Sequence, residues 1–179
     1  NATRIVTYSG ESRRKYWDED GLTVLAPTPA LLSAANEAED WNDSSYVLLH
    51  AYEHNGRLWR TIIAGDSHDA TWEHVLSEHP SLVKDIDLLL APHHGRHSGR
   101  DFTFLDVLKP KLTLFGNAPS EDLAYDAWRN RGLPFITNNQ AGSIAIDLKS
   151  DVGTVHCTHK PFALSRIGGE PLWNAELQA

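Results

Sequence analysis

The feature that most constrains this chain is a strand covered on both faces that empties into Pro92-His93-His94-Gly95. The run Ile86-Asp87-Leu88-Leu89-Leu90-Ala91 lacks the alternation of a half-solvated strand, so it needs a layer above it and another below. The elements before it agree with that demand. Ser45 to Tyr52 and Arg57 to Ala64 are strand candidates joined across His54-Asn55-Gly56, and Asn-Gly signals a tight hairpin because both residues tolerate positive φ. From Asp69 to His79, Trp72, Val75, Leu76 and His79 recur at three- and four-residue spacing before Pro80, which predicts an amphipathic helix. Hairpin, helix and buried strand in that order predict an α/β fold.

The flanking sequence fills in the layers. Gly21 to Pro27 reads as a short buried strand ended by proline, and Ala30 to Asp40 as a helical turn or surface loop. Phe102 to Leu108 is expected as a short helix, Leu112 to Phe115 as a strand running into Gly116-Asn117, and Ser120 to Arg131 as a helix with Leu123, Ala124, Ala127 and Trp128 on one face. Phe135 to Thr137 is a further strand, and Gly142 to Leu148 with Gly153 to His159 form a terminal hairpin. One domain over residues 3–160 is expected, followed by a loose tail over residues 161–179 marked by Gly168-Gly169-Glu170-Pro171.

Charge narrows the partners. With a net charge of −8, the chain has no basic field to draw in nucleic acid by counterion release. No apolar run approaches the ~20 residues needed to span a bilayer, and no charged-then-apolar leader precedes a cleavage site, so a soluble chain is expected, with a cytoplasmic setting favoured. The lone Cys157 has no disulfide partner within the chain and is read as a buried strand cysteine, with His156 and His159 as structural neighbours. The absence of methionine predicts a piece of a longer protein, with Asn1-Ala2 as a remnant of processing.

Two strand ends carry the candidate chemistry. Ile62-Ile63-Ala64-Gly65-Asp66 delivers a carboxylate from a rigid strand past a small Ala-Gly pair, a placement that suits a metal-bridging ligand. A turn in which Asp66 caps the following helix is the competing reading. At His93-His94, stiffness before the pair and freedom after it let one imidazole enter a metal shell while its neighbour faces substrate. Arg96, His97 and Ser98 add donors for an anionic oxygen, and a solvated polar loop is the alternative. His68 is read as part of a solvated helix N-terminus, and His50, His54, His74 and His79 as structural.

Taken together, Val24-Leu25-Ala26-Pro27, Asn42-Asp43-Ser44-Ser45, Ile63-Ala64-Gly65-Asp66, Asp87-Leu88-Leu89-Leu90-Ala91-Pro92-His93-His94-Gly95, Pro110, Gly116-Asn117, and Thr137 before Ala141-Gly142 resemble the second half of the metallo-β-lactamase superfamily. The likeness is to the branch of the competence DNA-uptake channel protein and its soluble relatives, over about residues 20 to 150. The resemblance implies the C-terminal half of an αββα sandwich with zinc or manganese, one or two ions, at one edge, where a metal-activated water attacks an ester, amide or phosphodiester. It makes Asp66 the bridging ligand and a catalytic residue, His94 a metal ligand, and His93 the catalytic partner that contacts substrate. Arg96, Ser98 and Asn117 are the expected substrate contacts.

The sequence departs from the family in three places. The first-half His-x-His-x-Asp-His signature is absent, Asn42 to Ser45 occupies the place of a glycine-histidine loop, and Ala118-Pro119 stands where the branch carries His-Pro. The leading expectation is a metal-dependent hydrolase of phosphodiester or related esters, acting on an anionic small molecule or nucleotide, with the missing N-terminal half supplying the other ligands. The rival is a degenerate scaffold or binding module. A lactam-hydrolysing enzyme is disfavoured by the His-His-Gly pattern.

Overall fold

The computed structural model describes residues 19–149, 152–166 and 174–177. Its main sheet runs in the order β1 (Leu22–Ala26), β2 (Val47–His54), β3 (Arg57–Ile63), β4 (Leu88–Leu90), β5 (Leu112–Phe115) and β6 (Phe135–Thr137). β1, β2 and β3 are antiparallel neighbours, whereas β3 through β6 run parallel. The change of direction has a local cause. Asn55 and Gly56, at φ 51° and 79°, reverse the chain in two residues, while each later strand is reached through helices that return the chain to the same end of the sheet.

Those helices cover one face. They are α1 (Pro29–Ala38), α2 (Asp69–Glu78), α3 (Pro80–Val83), α4 (Phe104–Leu108) and α5 (Tyr125–Arg129). Helices of five residues do not persist alone in water. α4 holds because Phe104, Leu105 and Leu108 are at most 2% exposed, and burying such a side chain is worth about 1.5–3 kcal/mol. Trp72 of α2 stacks on Phe104 with ring centroids 4.3 Å apart. Trp128 of α5 meets Phe115 edge-on at 4.6 Å and donates Nε1–H to Thr113 Oγ1 at 2.8 Å.

After α6 (Asn138–Ala141), a second sheet covers the other face near β4, β5 and β6. It consists of β7 (Ile144–Lys149) and β8 (Val152–Cys157) as an antiparallel pair, with β9 (Asn174–Leu177) parallel to β8. Leu88, Leu112 and Ile136 pack with Val155, Cys157 and Ala163 across this interface. β4 is therefore covered on both sides, as its apolar run requires, and Cys157 is a buried strand cysteine whose thiol is pushed up in pKa by burial.

Three stretches differ from the sequence reading. Ala30 to Asp40 is largely helix, entered through Thr28, whose hydroxyl accepts from Leu31 N, and closed by Glu39 in the left-handed region. Ser120 to Arg131 is not one helix but a 3-10 turn (Ser120–Asp122), an extended step at Leu123 and then α5. Leu123 pairs with Arg96 as a β-bridge and Ala124 N donates to Gly95 O at 2.9 Å, so backbone bonds to the His93-His94 loop override the helical pattern. Within the stretch read as tail, α7 (Lys160–Arg166) buries Ala163 and β9 joins the second sheet. Gly168-Gly169-Glu170-Pro171 lies outside the described residues. Among the described residues no helix is long and apolar enough to cross a membrane.

Candidate active site

The four parallel strands β3 to β6 release their chains at one edge, the end of an α/β sheet where ligands bind. Asp66 follows β3, His93 and His94 follow β4, Asn117 follows β5, and Asn138 and Asn139 follow β6. His93 and His94 stand at φ 49° and 60°, a conformation that costs a residue with a side chain roughly 1–2 kcal/mol. Surrounding bonds hold it. His93 N donates to Gly65 O at 2.9 Å, Gly116 N to His94 O at 3.1 Å, and Asn139 Nδ2 to Ala118 O at 2.7 Å. These bonds link the loops from β3 to β6 into a continuous belt.

Glycine is required at two points of the belt. A Cβ on Gly95, at φ 85°, would stand 2.7 Å from the Phe115 ring, and one on Gly116 would stand 2.5 Å from His94 Nδ1. The His94 imidazole thus lies directly on Gly116, which aims its other nitrogen at the β3 loop. His94 Nε2 is 3.6 Å from Asp66 Oδ1, with both side chains about half exposed. The two line an open groove of about 950 Å³ together with Asn117, Asn138, Asn139, Leu90 and Leu114.

A zinc or manganese ion fits this geometry only as far as its bond lengths allow. Ligand bonds of about 2.0–2.2 Å in a tetrahedron put neighbouring donor atoms roughly 3.3 Å apart. The Asp66–His94 separation suits two ligands of one ion. Among the described residues, no group of three or more histidine, cysteine, aspartate or glutamate side chains is placed to hold a metal. The residues present therefore fit part of a shell.

His93 turns to the other side of the same loop. Its Nδ1 is 3.1 Å from His68 Nε2 and 3.3 Å from Ser98 Oγ, and the His68 Nδ1 is 3.0 Å from Asp40 Oδ2. Asn42 Nδ2 also reaches His68 Nε2, at 3.3 Å. Burial holds the His93 imidazole below its usual pKa of 6.5; nearby Asp66 opposes this, and the charges of Arg100, His68 and Arg96 reinforce it. His68 is the N-cap residue of α2, as expected, but its side chain is only 18% exposed and bridges two loops, which corrects the reading of it as solvated.

Beneath the loop sits Arg100, 8% exposed. Its NH1 donates to Ser67 O at 2.7 Å and its NH2 to Pro92 O at 3.0 Å and Arg96 O at 3.1 Å. One rigid guanidinium thus fastens the loop carrying Asp66 to the loop carrying His93 and His94. Arg96 itself reaches Asp122, at 3.8 Å. Ser98 lies beside His93 and Asn117 on the groove, so the expected substrate contacts fall on separate sides of the site.

Sequence reasoning singled out Asp66, His93 and His94; the structure brings Asp66 and His94 together and turns His93 toward His68 and Ser98. It assigned no role to Asp40 or Arg100, took Asn42 only as the place of a missing loop ligand, and read His68, two residues after Asp66, as a solvated helix N-terminus. Asp40 and Arg100 acquire meaning only through contacts distant in sequence. Four other histidines make ring contacts elsewhere, His50 and His54 with Tyr52 and His74 with His79. No protein-family model, curated protein or solved structure matches the chain.

Proposed function

We propose that this chain contributes part of the metal centre of a metal-dependent hydrolase with the metallo-β-lactamase fold, acting on phosphodiester or related ester substrates. The observation that carries the reading is the convergence of Asp66 Oδ1 and His94 Nε2 to 3.6 Å at the carboxyl ends of adjacent parallel strands. The αββα architecture is part of the proposal; helices on one face of the main sheet and a second sheet on the other support it. Asp66 and His94 would hold the ion, zinc or manganese, and His93 would meet the substrate. The ion would supply an activated water and offset the anionic charge of the substrate. Asn117 would offer a hydrogen bond to an ester oxygen from the groove, and Ser98 beside His93 and Arg96 near Asp122 would do so from the other side of the loop. The resemblance assigns the remaining ligands to a His-x-His-x-Asp-His segment.

A second reading, a scaffold without catalysis, is favoured by the lack of a three-ligand group among the described residues and by Asn42, whose amide is engaged with His68. Metal analysis after purification without chelator, combined with a phosphodiesterase assay, separates the two. The hydrolase reading expects bound transition metal and loss of both metal and turnover in Asp66→Ala. No metal in the parent protein and no change in the variant would leave the scaffold.

A further inference from the structure

The hydrogen-bonded line from Asp40 through His68 to His93 belongs to no expected ligand set, and its donors and acceptors run in one direction. A carboxylate accepts only, so the proton between Asp40 Oδ2 and His68 Nδ1, 3.0 Å apart, sits on the imidazole. With its one ring hydrogen on Nδ1, His68 has a lone pair at Nε2. The Asn42 Nδ2 amide, a donor 3.3 Å from that nitrogen, is compatible with it as an acceptor and shares the lone pair. Across the shorter 3.1 Å to His93, the hydrogen is then supplied by His93 Nδ1–H. Ser98 Oγ, 3.3 Å from the same nitrogen, shares that hydrogen. A neutral His93 with its hydrogen on Nδ1 carries its lone pair on Nε2.

We infer that Asp40 and His68 are positioning residues that fix the tautomer and ring orientation of His93, presenting Nε2 as an acceptor to whatever the site binds. The inference rests on the reading of His93 as a working residue of that site, and it assigns a role to two residues outside it. The chemistry has a general basis. An imidazole whose far nitrogen donates to a carboxylate, directly or through a relay, is held in one tautomer and made a better base or ligand. Here the relay also spans three chain segments: Asp40 precedes the Trp41–Ser44 turn, His68 heads α2, and His93 follows β4. The acceptor nitrogen is thus aligned by the packing of these three segments.

Imidazole nitrogen NMR on the uniformly ¹⁵N-labelled, metal-free chain at mildly alkaline pH tests this directly. The expected result is a His93 ring with a protonated Nδ1 and a bare, pyridine-like Nε2. His68→Ala should remove that preference, leaving His93 with the Nε2–H form dominant, and His68→Gln, whose amide oxygen accepts, should restore it in part. Asp40→Ala should weaken it. A His93 ring already carrying its hydrogen on Nε2 in the parent chain would overturn the inference, and so would a His68→Ala variant in which Nδ1–H persists. The parent spectrum alone decides if a variant fails to fold. Because no metal or substrate is present, failure of the hydrolase reading shows separately, as absent metal binding in a chain whose His93 tautomer is as expected.

Discussion

His94 Nε2 faces Asp66 Oδ1 across 3.6 Å because the His94 ring rests on Gly116 of the next strand end. Three strands therefore set one distance. Gly116→Ala would drive a methyl group into the imidazole, since the added Cβ falls 2.5 Å from Nδ1. If Asp66 and His94 hold an ion as proposed, the expected outcome is metal affinity lower by about 10–100-fold, the range found when ligand support is lost, with a stability loss of only about 1–3 kcal/mol from overpacking. Calorimetric metal titration beside urea unfolding measures both. An unchanged affinity would show that the His94 ring does not need this seat.

Removing the Arg100 side chain should loosen the Asp66 loop and the His93-His94 loop together. Three carbonyl oxygens, of Ser67, Pro92 and Arg96, would lose their donor, and each charged bond of this kind contributes on the order of 1.5–3 kcal/mol. Arg100→Ala is expected to lower stability by on the order of 3 kcal/mol in urea unfolding, with water replacing part of the loss. Arg100→Lys should fall between the two, because one ammonium group cannot match the planar fork.

Acid should weaken the fold through His79. Burial first, and then His74, hold its pKa below the usual 6.5, against the opposing charge of Glu78. The unfolded chain takes up this proton before the folded chain does as pH falls. Stability from this group is thus complete above about pH 6.5 and declines as pH drops through that value toward the lower folded-state pKa. His79→Gln should flatten the decline in urea midpoints recorded over roughly pH 5 to 8. His93, lowered mainly by burial, acts with the same sign, so part of the slope should survive in that variant.

Trp128→Phe keeps an aromatic ring in α5, trims its buried edge and deletes one bond. Trp128 Nε1–H is the donor to Thr113 Oγ1, and both residues are fully buried. Leaving that hydroxyl without its donor should cost about 1–3 kcal/mol. The companion Thr113→Val change in the same background should recover part of it, a coupling that a double-mutant cycle reads.

The features legible in the sequence were those set by neighbours along the chain. Asn55-Gly56 dictates its turn locally, and the run ending in Leu88-Leu89-Leu90 demands cover on both faces whatever supplies it. Asp66 and His93-His94 could be read because each follows a strand directly. The break at Leu123 could not, because it is set by bonds to Arg96 and Gly95 on another loop. Asp40 shows the same limit: nothing adjacent marks it, and its partner His68 arrives from the start of α2.

The belt of bonds from Gly65 through His93, His94 and Gly116 to Ala118 and Asn139 makes this edge of the sheet a single mechanical unit. No one loop can open for a ligand without pulling on the next. Access must then come from the groove side, with the rim as a rigid threshold rather than a set of independent flaps. The amides of His93 and Gly116 should accordingly exchange with solvent deuterium at a common slow rate, set by cooperative opening of the sheet end and not by fraying of separate turns.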